Sequence, residues 1–205
     1  MPENLKSVRG ARTRSTQSKI VTAAAELFIA EGYHSSTLEQ IAARAGVAVQ
    51  TVYFHFGNKR SLLKRAVDVA VVGDEETVSM LDRPWLEEAR AETDPREVIA
   101  LWTSYGRSIL SRVGPIMRVV RDAAAVDPDM AVQWATNEAE TASAFRVLAE
   151  QLDAMHALRV PVEEATDILY ALSGLSMYLT LAGRGWTDEQ WERFVVDALD
   201  HALLS

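Results

Sequence analysis

The stretch STLEQIAARAGVAVQTVYFHFGNK, residues 36–59, decides the reading of this chain, because it breaks into two short helices joined by a tight turn. Leu38, Ile41, Ala42 and Ala45 recur at i, i+3, i+4 and i+7, so the first helix has one apolar face. Ser36 followed by Glu39 has the spacing of a capping box and marks the expected start. Gly46 is the residue type best able to adopt the positive φ that ends a helix, and Val47 and Val52 then pack a second helix on the first. That second helix carries Ala48, Val49, Gln50, Thr51, Tyr53 and His55, more small and hydrogen-bonding residues than packing requires. Its outer face is expected to touch a partner.

Working outward, the segment GVAVQTVYFHFGNKRSLL resembles the recognition helix of the TetR family of transcriptional regulators, whose pattern is G-V-x-x-x-T-[LV]-Y-x-[YH]-F-x-[NS]-K-x-x-L. Gly46, Val47, Thr51, Tyr53, Phe56, Lys59 and Leu62 carry the match, and Ala24, Leu27, Phe28, Gly32, Thr37, Ile41 and Ala42 extend it upstream. It covers residues 16–65, about a quarter of the chain, and GRGWTDEQWERF near the C-terminus is similar to a recurring family segment. Glu39 departs from the pattern by placing an acid near the expected phosphates, which its capping role explains.

Composition and charge agree with a nucleic-acid partner only when the chain is divided. The 205 residues are 48% hydrophobic and 24% charged, with a net charge of −8. Residues 1–65 nevertheless hold ten Lys or Arg against four Asp or Glu, and residues 66–205 hold eleven against twenty-five. A basic head on an acidic body is expected where only one end meets phosphate. The absence of cysteine excludes disulfides, thiolate metal sites and thiol redox sensing. His34, His55, His156 and His201 lack i, i+4 pairing, so no metal site and no cofactor is expected. The N-terminus has no apolar leader, which makes the cytoplasm the expected location. No HExxH, DDxxD, P-loop or cysteine nucleophile is present, which argues against an enzyme.

The expected fold is all-α, with about nine helices in an N-terminal three-helix head and a C-terminal body. Residues 1–15, with Lys6, Arg9, Arg12 and Arg14, read as a flexible basic arm; residues 16–60 as a helix-turn-helix domain; and residues 61–205 as an effector-binding and dimerisation domain. A helix from Thr16 to Glu31 braces the head, and Asn58 caps the helix that joins head to body. The charged stretch 73–94 reads as a helix end, a loop and a short helical piece. Asp94-Pro95 opens a helix that Gly114-Pro115 is expected to break. From Pro128 to His156 one stripe carries Met130, Trp134, Asn137, Thr141, Phe145, Leu148, Leu152 and Met155. Asn137 and Thr141 on such a stripe face either a cavity or a neighbouring helix. Residues 168–183 contain no charge, yet fall short of the roughly 20 apolar residues of a membrane span. A second copy of the chain is therefore the expected cover for one face of this helix, and the helix opened by Thr187 and Gln190 offers another such face.

The resemblance implies a mechanism. The last two helices would join two copies, and the paired heads would meet a palindromic duplex at half-sites about 34–36 Å apart or a multiple of that. Thr37, Tyr53, His55 and Lys59 would meet phosphates, Gln50 and Thr51 would read base edges, and Ala48 and Val49 would lie against thymine methyls. In the body, Trp102, Tyr105, Met117, Trp134, Asn137, Thr141, Phe145 and Met177 are expected to line a mainly apolar cavity for a small effector that changes the spacing of the heads. The alternative is a DNA-binding architectural protein with a filled core and no effector.

Overall fold

Local signals set most helix boundaries, and ten helices result in the computed structural model, which describes residues 3–72 and 84–205, with side chains for 13–71 and 85–205. They are α1 (Glu3–Glu31), α2 (Leu38–Ala45), α3 (Val49–Phe56), α4 (Lys59–Val72), α5 (Pro84–Ala91), α6 (Pro95–Ala124), α7 (Pro128–Ala154), α8 (Val162–Ser173), α9 (Leu175–Ala182) and α10 (Asp188–Leu203). Among the described residues there is no strand, only an isolated bridge between Leu158 and Leu204. The fold is all-α. The segment 73–83, read above as part of a charged connection, lies outside the described residues.

The head is α1, α2 and α3 packed around Ile20, Phe28, Ile41 and Val52, each fully buried. α1 and α2 also lean on each other through an ion pair of Arg44 Nε with Glu26 Oε2 at 2.8 Å. From α4 the same core continues without a break through Leu62 and Leu63 into the body. There α6 forms the axis, touching α1, α4, α5, α7, α9 and α10.

Four expectations about local structure are corrected. The first helix begins at Glu3 and not at Thr16, so most of the segment read as an arm continues α1. The cap of α2 is Thr37 with Gln40, not Ser36 with Glu39: Gln40 N–H donates to Thr37 Oγ1 at 3.2 Å, and Thr37 N–H donates to Gln40 Oε1 at 2.8 Å. Ser36 is instead buried and donates its hydroxyl to the Gly32 carbonyl at 2.8 Å. Glu39 therefore has no capping duty and remains an exposed acid in the first turn, favoured by the helix dipole. Third, α6 runs straight through Pro115. The flanking Val113, Ile116 and Met117 are buried, and this packing outweighs the single backbone hydrogen bond that the proline removes. Fourth, the uncharged run 168–183 is not one helix, because Gly174 divides it into α8 and α9 with φ −74° and ψ 165°. A Cβ at Gly174 would lie 2.4 Å from the Tyr170 carbonyl oxygen, so no other residue fits that break undisturbed.

Candidate nucleic-acid interface and body cavity

The turn between α2 and α3 is built by Gly46, whose φ of 68° and ψ of 37° lie in the left-handed region. Its N–H and that of Val47 both reach back to the Ala42 carbonyl, the latter at 3.0 Å, which satisfies the end of α2 and starts α3 two residues later. Val52, fully buried, pins α3 to the head. The opposite face is open. Gln50, Tyr53 and Phe54 stand at i, i+3 and i+4 on it, with Tyr53 49% and Phe54 84% exposed. Ala48 is exposed at the N-cap, while Val49 and Thr51 are half-buried at the flanks.

His55 is half-buried and within 3.4 Å of Gln17 Nε2 through its Nδ1, a bond that ties α3 to α1. Thr37 is exposed at the mouth of α2, where unpaired helix N–H groups favour an anion. Lys59 is placed differently from the expectation. Its Nζ donates to the carbonyls of Tyr33 at 2.7 Å and Ser36 at 2.9 Å, lies 3.4 Å from that of His34, and sits 4.4 Å from the centre of the Tyr33 ring. An ammonium has three N–H groups and these acceptors use them. Burial holds its pKa below the ordinary lysine value. Lys59 is thus a brace that locks the start of α4 to the α1–α2 loop rather than a group presented to phosphate. Phe54 went unnoticed in the sequence reading, although four aromatic residues in a row, Tyr53 to Phe56, on so short a helix cannot all face inward.

In the body, α4, α5, α6, α7, α8 and the start of α9 leave a cavity of about 690 Å3 between them. Trp102, Tyr105, Met117, Trp134, Asn137, Thr141 and Phe145 line it. Met177 does not, although its neighbours Leu175 and Ser176 at the start of α9 do. Trp85, Ile109, Tyr170, Ser173 and Glu138 complete the wall. Sequence reading missed Trp85 and Tyr170 because one stands in a weakly patterned segment and the other in a run read as wholly buried. Trp85 stacks on Tyr105 at 3.8 Å between ring centres and meets Trp102 edge-on at 5.2 Å.

The polar groups of the wall are few. Asn137 accepts from Gln133 Nε2 at 3.0 Å and points its amide N–H at Met117 sulfur, 3.8 Å away. Thr141 donates to the Asn137 carbonyl at 2.8 Å and is exposed at the rim. Both residues line the cavity. The indole N–H groups of Trp85 and Trp102 and the Ser173 hydroxyl are buried without a hydrogen-bond partner among the described residues. On the α4 side the wall is formed by Lys64, Arg65, Val67, Asp68 and Val71. One helix therefore starts at the head under the Lys59 brace and ends as a side of the cavity. Arg60 on its first turn forms an ion pair with Asp129 of α7, and Arg112 of α6 approaches the Ala70 and Val71 carbonyls at its far end, at 3.4 Å each.

Comparison with known proteins agrees with this geometry. Residues 20–66 match the family model described as bacterial regulatory proteins, tetR family. An uncharacterized HTH-type transcriptional regulator, TtgW, from Pseudomonas putida is 43% identical over 54 residues, which are 26% of this chain and 40% of that relative. The chain thus matches less than half the length of that curated relative. Solved structures match nearly the whole chain. The Pseudomonas aeruginosa protein NalD, the secondary repressor of the MexAB-OprM multidrug efflux pump, is similar over 95% of this chain and 98% of its own, with a TM-score of 0.68 at 22% identity. A transcriptional regulator from Saccharomonospora viridis in complex with choline is similar over 92% and 97%, with a TM-score of 0.70 at 18% identity. These two likenesses concern the fold.

Proposed function

From the match of residues 20–66 to the tetR family of bacterial regulatory proteins, we propose that the chain is a regulator of this family that binds a palindromic duplex as a homodimer, represses transcription there, and is released by a small, mainly apolar or aromatic effector. The observation that carries the DNA-binding part is the open face of α3. Gln50 stands free to bond one base edge twice, Ala48 and Phe54 offer apolar contact to thymine methyls, and Tyr53 and Thr37 offer hydroxyls to flanking phosphates. Thr51 and Val49 are at the edge of the same face, and His55 keeps one ring nitrogen for a phosphate. Lys59 acts through the loop it orders.

The homodimer is supported by apolar surface that one protomer leaves open. Ile168, Leu172 and Leu175 on α8 and α9 are half-buried, and Trp186 and Phe194, 36% and 40% exposed, meet edge-on at 5.6 Å next to them in sequence on the α10 side. Exposed pairs of this size are what a partner covers. The effector is supported by the cavity, whose volume falls within the roughly 300–1,000 Å3 of small-molecule sites. A filled body would favour the architectural alternative. Ligand-driven release follows if the occupied cavity holds α4 in a position whose head spacing does not fit successive grooves. Only a ligand with unequal affinity for the two positions shifts the balance.

Selection of bound duplexes from a random pool tests the proposal. Enrichment of a two-fold symmetric sequence, bound more weakly as salt is raised, is the expected result. A pool without any enriched symmetric site sinks the reading. A reporter placed behind the selected site then distinguishes repression from activation.

A further inference from the structure

The cavity wall is polarised. Its basic residues, Lys64 and Arg65, stand on α4, where Lys64 is 3.6 Å from Asp68 of the same helix. α7 brings Glu138 and Glu140 to the same cavity, and neither pairs with a lysine or arginine among the described residues. Glu138 is half-buried, and its carboxylate accepts a single side-chain hydrogen bond, from the Tyr170 hydroxyl at 3.1 Å. Burial first, and then that bond and the nearby carboxylate charge, push the Tyr170 phenol above its ordinary pKa. Phe145 meets the Tyr170 ring edge-on at 6.4 Å. An acid is therefore set beside aromatic rings in a cavity whose wall also carries Trp85, Trp102, Tyr105 and Trp134.

A carboxylate partly withdrawn from water and held by one neutral donor is under-compensated. A neutral ligand closing over it would remove more water and return at most a hydrogen bond, with no compensating charge, and an anion would add repulsion. A cation supplies the missing partner, and the negative faces of the surrounding rings attract the same charge. We infer that the cavity takes a monovalent organic cation with an apolar or aromatic body, its charged centre held beside Glu138, Tyr170 and Phe145 and its body lying against the Trp85–Trp102–Tyr105 wall. This rests on the proposed effector role of the cavity and adds the charge of the ligand to it.

Tetraphenylphosphonium and tetraphenylborate have nearly the same shape and opposite charge, so titrating the full-length protein with each, by quenching of tryptophan fluorescence and by calorimetry, isolates the sign. The phosphonium is expected to bind at least about tenfold more tightly than the borate. Glu138→Gln keeps an acceptor for Tyr170 and removes the charge. It is expected to weaken the phosphonium about tenfold while changing the neutral probe N-phenyl-1-naphthylamine by less than about twofold. Equal or tighter binding of the borate to the native protein overturns the inference, as does a phosphonium affinity that Glu138→Gln leaves unchanged. Duplex affinity measured in the same samples separates the two levels. Phosphonium that binds with the expected preference but leaves the duplex bound supports the cation site and removes the effector reading.

Discussion

Gln50 and Lys59 are nine positions apart and have opposite fates: the amide is turned to solvent on α3, and the ammonium is folded back onto three carbonyls. Each predicts a distinct variant. Gln50→Ala removes one bidentate base contact and is expected to cost about 1–3 kcal/mol on the selected duplex, with relaxed preference at one base position. Fluorescence anisotropy over a panel of single-base variants of the site measures both. Lys59→Met is expected to destabilise the head by about 1.5–3 kcal/mol, since charge-assisted hydrogen bonds to the loop disappear. It should also weaken DNA binding without altering its salt dependence. A group contacting phosphate directly would instead lower the salt slope by about 1, which decides between brace and contact. Tyr178 offers a third test. Burial first, and then its 2.8 Å bond to Asp188, raise its phenol from 10.0 to about 12. A raised folded-state pKa means that the stabilisation is complete below pH 10 and is lost as pH climbs through about 12. Denaturation midpoints taken between pH 9 and 12 should fall more steeply for the native chain than for Tyr178→Phe.

At the scale of the element, the interruption at Gly174 and the continuity at Pro115 are two sides of one rule, because packing decides whether a helix breaker is obeyed. Gly174→Ala forces a methyl to within 2.4 Å of the Tyr170 carbonyl oxygen and is expected to cost about 1–3 kcal/mol through displaced backbone. Gly106→Ala in α6, where the added methyl meets nothing within 4 Å, is expected to be neutral or to stabilise by up to about 1 kcal/mol. Urea denaturation of the pair checks both. If the two variants proved equally stable, the close approach at Gly174 would not be what ends α8. Under the proposed regulation α4 is the element that would link cavity to head, because its first residue is clamped to the head and its middle forms a wall of the cavity.

For the whole molecule, a basic head and an acidic, apolar-edged body suit a duplex at one end and a second copy at the other. Phe194→Glu places a charge on the exposed apolar pair of α10 and is expected to yield monomers by analytical ultracentrifugation. Binding of the palindrome should fall much further than binding of an isolated half-site, because the link between heads is what the variant removes. Retained dimers would move the proposed interface elsewhere.

The helix-turn-helix was legible from residues alone, since the α2 stripe, Gly46 and the anchoring Val52 are local signals that act within a few residues of themselves. So were the caps Asp94 and Thr187, and seven of the residues brought together around the cavity. Periodicity identifies a face, and large residues on a face gather wherever helices meet. What the tertiary structure alone decided is how non-local choices resolve. Three carbonyls from one loop capture Lys59, α6 continues through Pro115 among buried neighbours, and Met177 stays out of the cavity while Trp85, Tyr170 and Glu138 enter it. Each outcome depends on atoms distant in sequence, and the free energy of a side chain in a folded protein depends on the neighbours it meets in space.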